Sequence, residues 1–302
     1  MTAPKVTVVL STYNGSQYLP EQLASLNEQA RRPDSLVLRD DGSTDDSVCI
    51  VREWSAVTGV QLQEVAGERL GPARSFLTAA LNAAPADVYM FCDQDDIWLP
   101  DKISRAVDRL PFGPGAPPSL LATRLAVVAA DLTPISLSNV PKRLTFSSAV
   151  CESMLTGCTI AFNAAFRDLL GGRVPENVVM HDWWCYLLAT GAAQLVFDCK
   201  PTLLYRQHGS NALGHRPDGL SLMFARVARF VGPHSSVRSR QLAEFADLYM
   251  TQLKPGPAQI LQTLLRAPSS FAGRLAAAAA PIERQTLALT LTTRVALLMN
   301  RF

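Results

Sequence analysis

The 302-residue sequence contains no uncharged apolar run of about 18 residues, so a membrane-spanning helix is not expected. The nearest approach, TLALTLTTRVALLMNRF (286–302), is interrupted by Arg294. The first residues, MTAPKVTVVLSTYN, lack the basic start, long apolar run and small-residue cleavage site of an export signal. The six cysteines, at 49, 92, 151, 158, 185 and 199, show no CxxC or Cys/His spacing. Neither a zinc site nor a disulfide framework is expected, and a reducing cytoplasm is the default. A net charge of +2 is too small to imply a nucleic-acid partner. No internal repeat is present.

What the chain does have is apolar material in alternating patterns. VTVVL (6–10), SLVLRDD (35–41), VQLQEV (60–65) and DVYMFC (87–92) have the character of strands. Between them, Leu19, Leu23 and Leu26 lie at helical spacing, as do Val48, Val51 and Trp54, and GPARSFLTAALNAA supplies a third helix. This alternation predicts an α/β fold, a mostly parallel Rossmann-like sheet flanked by helices. PFGPGAPPS (111–119) is a loop, and LLATRLAVVAADL (120–132) a further strand with its turn. Residues 1–215 are expected to form the main domain, and residues 216–302, rich in Ala, Leu and Arg, a helical tail.

Three polar stretches follow three different strands: TYNG (12–15), RDDGS (39–43) and CDQDD (92–96). In such sheets ligands bind outside the carboxyl ends of the strands, so one edge should gather them. CDQDD raises a charge problem. Two carboxylates about 4 Å apart repel by roughly 4 kcal/mol at an effective dielectric of about 20. The cluster must stay solvated, raise a pKa, or bind a hard divalent cation.

In order and spacing, TYNG, RDDGSTD, CDQDDIWLPDK, MHDWW and YRQHGSN resemble family 2 glycosyltransferases of the GT-A fold, in the bacterial rhamnosyltransferase-like branch that builds surface polysaccharides. The likeness extends over about residues 4–215. It implies transfer of a sugar, rhamnose from dTDP-rhamnose as the leading guess, from a nucleotide diphosphate to a saccharide hydroxyl, the acceptor being lipid-linked. A UDP-hexose or UDP-N-acetylhexosamine donor is the nearest alternative. A nucleotidyltransferase would be expected to carry a Gly-rich basic loop after the first strand, where this chain has STYNGSQYL; a non-catalytic binding scaffold is the remaining option.

By the same resemblance, Thr12, Tyr13, Asp40 and Asp41 hold the nucleoside, while Ser43 or Thr44 alternatively serve as helix caps. Asp93 and Asp95 are the two acids of the DxD element. Asp95 would chelate Mg²⁺ or Mn²⁺, and Asp93 the ribose or the water shell of the metal. Asp96 either joins them or starts the next helix. Asp182 is the catalytic base, which with in-line displacement predicts inversion. His208 is a candidate metal ligand, Arg206 a diphosphate clamp, and Arg74 a donor-side residue. Gly157, Cys158, Thr159, Trp183 and Trp184 fall on the acceptor side, although one tryptophan is expected in the core. His181 has a local structural alternative. Arg124 stands where the branch often has an acid. LSLMFARVARFV (220–231) forms a basic amphipathic pattern that would suit either peripheral contact with the inner membrane face, a subunit contact, or docking on the main domain.

Overall fold

The computed structural model describes residues 3–208 and 235–302. Its first half comprises β1 (Val6–Thr12), α1 (Leu19–Asn27), β2 (Ser35–Asp40), α2 (Ser47–Thr58), β3 (Gln61–Glu64), α3 (Pro72–Asn82) and β4 (Val88–Cys92). Next come β5 (Ile97–Trp98), α4 (Lys102–Arg109), β6 (Ser119–Ala129), β7 (Pro134–Leu137), α5 (Phe146–Ala149), a 3-10 turn (Gly157–Thr159), β8 (Ala161–Asn163) and α6 (Ala164–Leu169). α7 (His181–Ala192) and β9 (Gln194–Gln207) follow. The C-terminal part holds α8 (Ser235–Tyr249), α9 (Pro255–Leu265), α10 (Phe271–Ala279) and α11 (Leu287–Leu298). The segment 220–231 lies outside the described residues.

The sheet order is β3-β2-β1-β4-β8-β6-β9-β5, with β7 paired to β6. β1, β2, β3 and β4 pair in parallel, as do β6 and β9, whereas β8 runs antiparallel to both β4 and β6. β1, β2 and β4 are buried on both faces and divide their side chains by a period of two. Val9, Val37, Tyr89 and Phe91 enter one apolar cluster; Val8, Leu10, Leu36, Leu38, Met90 and Cys92 enter the other. α1 and α2 cover the second face through Leu19, Leu23, Leu26 and Val51. Gly59, at φ 76°, ends α2 in the left-handed conformation that glycine accepts without a Cβ penalty.

The first cluster runs on into the C-terminal helices. Trp184 of α7 meets Phe245 edge-on at 5.3 Å and donates from its indole N–H to the Tyr249 hydroxyl at 3.4 Å. That hydroxyl donates in turn to the Leu170 carbonyl at 2.8 Å. α8 also secures the approach to α7. Its Glu244 accepts the backbone N–H groups of Glu176 and Asn177 at 2.8 and 2.6 Å, and Gln241 accepts that of Val179 at 2.7 Å. The helix that begins at His181 is therefore aimed by residues more than 60 positions away.

Candidate active site

The ends of β1 and β2 are tied together first. The Thr12 hydroxyl donates to Asp40 Oδ1 at 2.8 Å, and the Asp41 N–H donates to the Thr12 carbonyl at 2.8 Å. Burial alone would raise the Asp40 pKa. Hydrogen bonds from the Ser43 hydroxyl and N–H, from Thr12 and from the Gly42 N–H outweigh it, and the carboxyl is held below its ordinary value. Asp41 is nearly buried and turns the other way: its oxygens accept the N–H groups of Leu70 and Gly71, both at 2.7 Å. Asp40 faces the strand ends, while Asp41 fixes the loop that enters α3.

Tyr13 is 39% exposed, with the Arg69 guanidinium 4.0 Å from its ring centre. Its backbone exchanges two hydrogen bonds with the Gln94 amide, N–H to Oε1 at 2.8 Å and Nε2 to carbonyl at 3.1 Å. A Cβ on Gly15 would sit 2.3 Å from Gln94 Oε1, so glycine is what allows this close approach. Gln94 thereby staples the TYNG turn to the acidic loop. Arg74 stands in the first turn of α3, its Nε buried without a partner.

In the acidic loop, burial raises Asp93, and the charges of Asp95 and Asp182 raise it further. Asp96 is wholly buried and pushed well up by burial and by the charge of Asp93. The Cys158 thiol lies against both carboxylates and works against their rise. Beneath them lies Lys102, only 2% exposed, which donates to the Cys158 carbonyl at 2.9 Å and sits 4.7 Å from the Trp98 ring centre. Burial brings its ammonium down to about 8, while the charges of Asp96 and Asp93 oppose that fall. No motif reading marks Lys102. The signal available for it is the need for a buried counter-charge, together with its place directly after LPD at the start of α4.

Asp95 Oδ2 lies 2.8 Å from His208 Nε2, and the His208 ring stacks on Tyr18 at 4.5 Å. Arg206 is 3% exposed and committed on several sides. It donates from Nε to the Asp95 carbonyl at 3.0 Å, from Nη1 to the Ala130 carbonyl at 2.7 Å, and from Nη2 to Glu21. Its backbone N–H reaches Asp96 Oδ1 at 3.3 Å. The guanidinium thus braces the acidic loop from behind.

Asp182, 8% exposed, occupies the first turn of α7. Burial raises it to about 7, against the lowering effect of the Trp183 and Gly157 N–H groups and the Ser153 hydroxyl. One of its oxygens, Oδ1, is buried without a partner. Beside it His181 is 3% exposed, stacked on Phe76 at 4.2 Å and edge-on to Phe91 at 4.9 Å, with neither ring nitrogen bonded. Burial lowers its pKa to about 3, so the imidazole is neutral. Gly157 packs directly against it: an added Cβ would lie 2.2 Å from Nε2. Thr159 is buried and bonded to its own turn, donating to the Thr156 carbonyl at 2.7 Å. Trp184 belongs to the core; Trp183 is half-buried and donates to the Ala149 carbonyl at 2.7 Å. Arg124 donates from Nε to the Ser138 carbonyl at 2.6 Å, fastening β6 to the chain beyond β7.

The residues fit a divalent cation. Donor atoms of Asp93, Asp96 and Cys158 lie within 4.8 Å of one another, and Asp96 Oδ2 is buried without a hydrogen bond. Asp95 and His208 add an oxygen and a nitrogen already side by side. Oxygen and imidazole donors suit Mg²⁺- or Mn²⁺-type ions better than the buried thiol does.

Residues 7–116 match the family model for glycosyl transferase family 2. The dTDP-rhamnosyl transferase RfbG of Shigella flexneri is 29% identical over 219 residues, spanning 68% of this chain and 73% of that protein. Over residues 7–116 the chain is similar to glycosyltransferase family 2. Among solved structures, S. aureus TarS residues 1–349 superposes with a TM-score of 0.54 at 16% identity, covering 99% of this chain and 92% of that one. The mannosyltransferase PcManGT from Pyrobaculum calidifontis, in complex with GDP-Man and Mn²⁺, gives 0.51 at 20% identity, covering 100% and 89%. These likenesses identify the fold of this glycosyltransferase as GT-A, with the acidic loop following β4 at the sheet edge.

Proposed function

We propose that this glycosyltransferase moves rhamnose from dTDP-rhamnose, with inversion, onto a hydroxyl of a lipid-linked saccharide at the cytoplasmic face of a membrane. The donor assignment is supported by the likeness to a dTDP-rhamnosyl transferase over 219 residues. The observation that carries the chemistry is Asp182. It is a buried carboxylate raised to about 7, with one unpaired oxygen, close enough to the acidic loop for its charge to act on Asp93. A general base works best with a pKa near the operating pH, and such help is typically worth about 10²–10⁴ in rate.

Asp40, with Thr12 and Ser43 locking its rotamer, accepts an imide N–H of the base, and Tyr13 backed by Arg69 presents a ring face to it. Asp95, His208 and Asp93 would hold a divalent cation, whose chemistry is to neutralise charge on the departing diphosphate. Arg206 and Lys102 keep those acids in place from the protein side. Asp182 takes the proton of the acceptor hydroxyl, and the N–H groups of Trp183 and Gly157 hold the carboxylate in its aim. Asp41, through Leu70 and Gly71, shapes the loop over the donor.

Titration of dTDP, UDP and GDP into the protein with and without Mn²⁺ tests the donor half without an acceptor. dTDP binding that requires metal and fails in Asp95→Ala is expected. UDP preference would move the donor to a UDP-hexose class, and no metal-dependent binding of any of the three would remove the reading. Asp182→Asn should retain nucleotide binding while transfer disappears.

A further inference from the structure

α10 and α11 pack against each other yet leave a large share of their apolar side chains outside. Phe271 and Leu275 on α10 are 66% and 54% exposed. On α11, Leu287, Leu291, Val295 and Leu298 are 75%, 52%, 53% and 38% exposed, and their spacing of four, four and three places them along one stripe. Isolated exposed leucines are ordinary, but such stripes on two touching helices mark a contact surface.

The charge around the stripes indicates what it contacts. From residue 251 to 302 the chain carries Lys254, Arg266, Arg274, Arg284, Arg294 and Arg301 against a single acid, Glu283. Glu283 is paired with Arg143, and Arg284 with Glu152, which leaves only cations to set the outward character. A second copy of this chain meeting the same face across a two-fold axis would bring like charge to like charge. A bilayer with anionic headgroups complements both the apolar stripes and the arginines. Among the described residues no helix is long and apolar enough to cross a membrane, so the face lies on the bilayer rather than within it.

We propose that the α10–α11 face seats this enzyme on an anionic lipid surface. The place in the fold fits the acceptor side. The turn entering α11 grips residue 152: Arg284 Nη2 reaches Glu152 Oε2 at 2.5 Å, and the Gln285 N–H reaches Oε1 at 3.3 Å. The next residue, Ser153, donates from its hydroxyl to the Leu155 carbonyl at 3.2 Å and lies near enough to Asp182 to help lower it. The turn that enters α11 and the base thus lie on either side of residues 152 and 153. The inference deepens the lipid-linked acceptor reading, and its test needs neither donor nor acceptor.

The test is co-sedimentation of the full chain with phosphatidylcholine vesicles, with and without about 30% phosphatidylglycerol, at low and high salt. Binding to the anionic vesicles at low salt, weakened by salt and by about tenfold or more in Leu291→Glu/Val295→Glu, is expected. Both positions are exposed, so the variant should unfold like the parent and bind nucleotide unchanged. No association at low salt would overturn the proposal. So would sedimentation velocity showing a dimer that the double variant breaks, with no vesicle binding. Either result leaves the Asp182 chemistry standing, whereas an Asp182→Asn enzyme that still transfers sugar would remove the catalytic reading and leave vesicle binding untouched.

Discussion

Gly157→Ala places one methyl group at the tightest contact behind the proposed base. The new Cβ would lie 2.2 Å from His181 Nε2 and 2.6 Å from Cε1. His181 has little freedom to yield, because its ring is stacked on Phe76, meets Phe91 edge-on and is 3% exposed. Overpacking of this kind costs about 1–3 kcal/mol, a fall in Tm of roughly 2–10 °C for a chain of this size. The more telling loss is in rate. The Gly157 N–H bonds Asp182, so relieving the clash moves the base itself, and a displacement of about 1 Å can cost about 10² in turnover. Removing the obstacle should undo much of the damage. In a cycle with His181→Ala, measured by urea unfolding, the two changes should couple favourably by about 1–3 kcal/mol. A Gly157→Ala enzyme with parental Tm and turnover, or one equally impaired with His181 absent, would refute this account of the site.

Lys102→Met should destabilise by about 3–5 kcal/mol at pH 8, since it leaves buried carboxylates without their cation, and by less at pH 5; urea titrations at both values measure this. Asp93, Asp96 and Asp182 are all raised, so the folded state holds their protons more tightly than the unfolded chain, whose carboxyls titrate near about 4. Their contribution to stability is full below that value and is lost as pH rises through the folded pKa, about 7 for Asp182. Mn²⁺ should therefore raise Tm more at pH 8 than at pH 5.5; an equal or larger shift at pH 5.5 would count against the acids as its site. Turnover at saturating donor should rise with pH through the neutral range as Asp182 ionises, and a flat profile would point to another base. Trp184→Ala should cost about 3–5 kcal/mol by unfolding, with loss of activity following from misplacement of α7.

The gathering of TYNG, RDDGS and CDQDD at one edge was legible because parallel strands leave their carboxyl ends on the same side. The antiparallel β8 was not: AFN is too short to show a period, and its place between β4 and β6 is set by contacts far along the chain. In RDDGS the two acids look equivalent in sequence, yet successive side chains of an extended chain point to opposite faces. Asp40 goes to the strand ends and Asp41 to the α3 loop. Arg206 carries the donor pattern of a phosphate clamp. What occupies it, Glu21 and the Asp95 and Ala130 carbonyls, comes from segments whose proximity only the folded sheet reveals. His181 follows the same logic, since its neutrality depends on Phe76 and Phe91 rather than on any neighbour in MHDWW.

The dependence of α7 on α8 also carries a consequence for how the protein is made. Thr12, Asp40 and the acidic loop are all translated within the first hundred residues and lie on strands that pair with one another. Asp182 is oriented only when Gln241, Glu244, Phe245 and Tyr249 have emerged to hold the 173–179 segment and Trp184. A nascent chain thus pairs the strands that carry Thr12 and Asp40 well before its base is aimed.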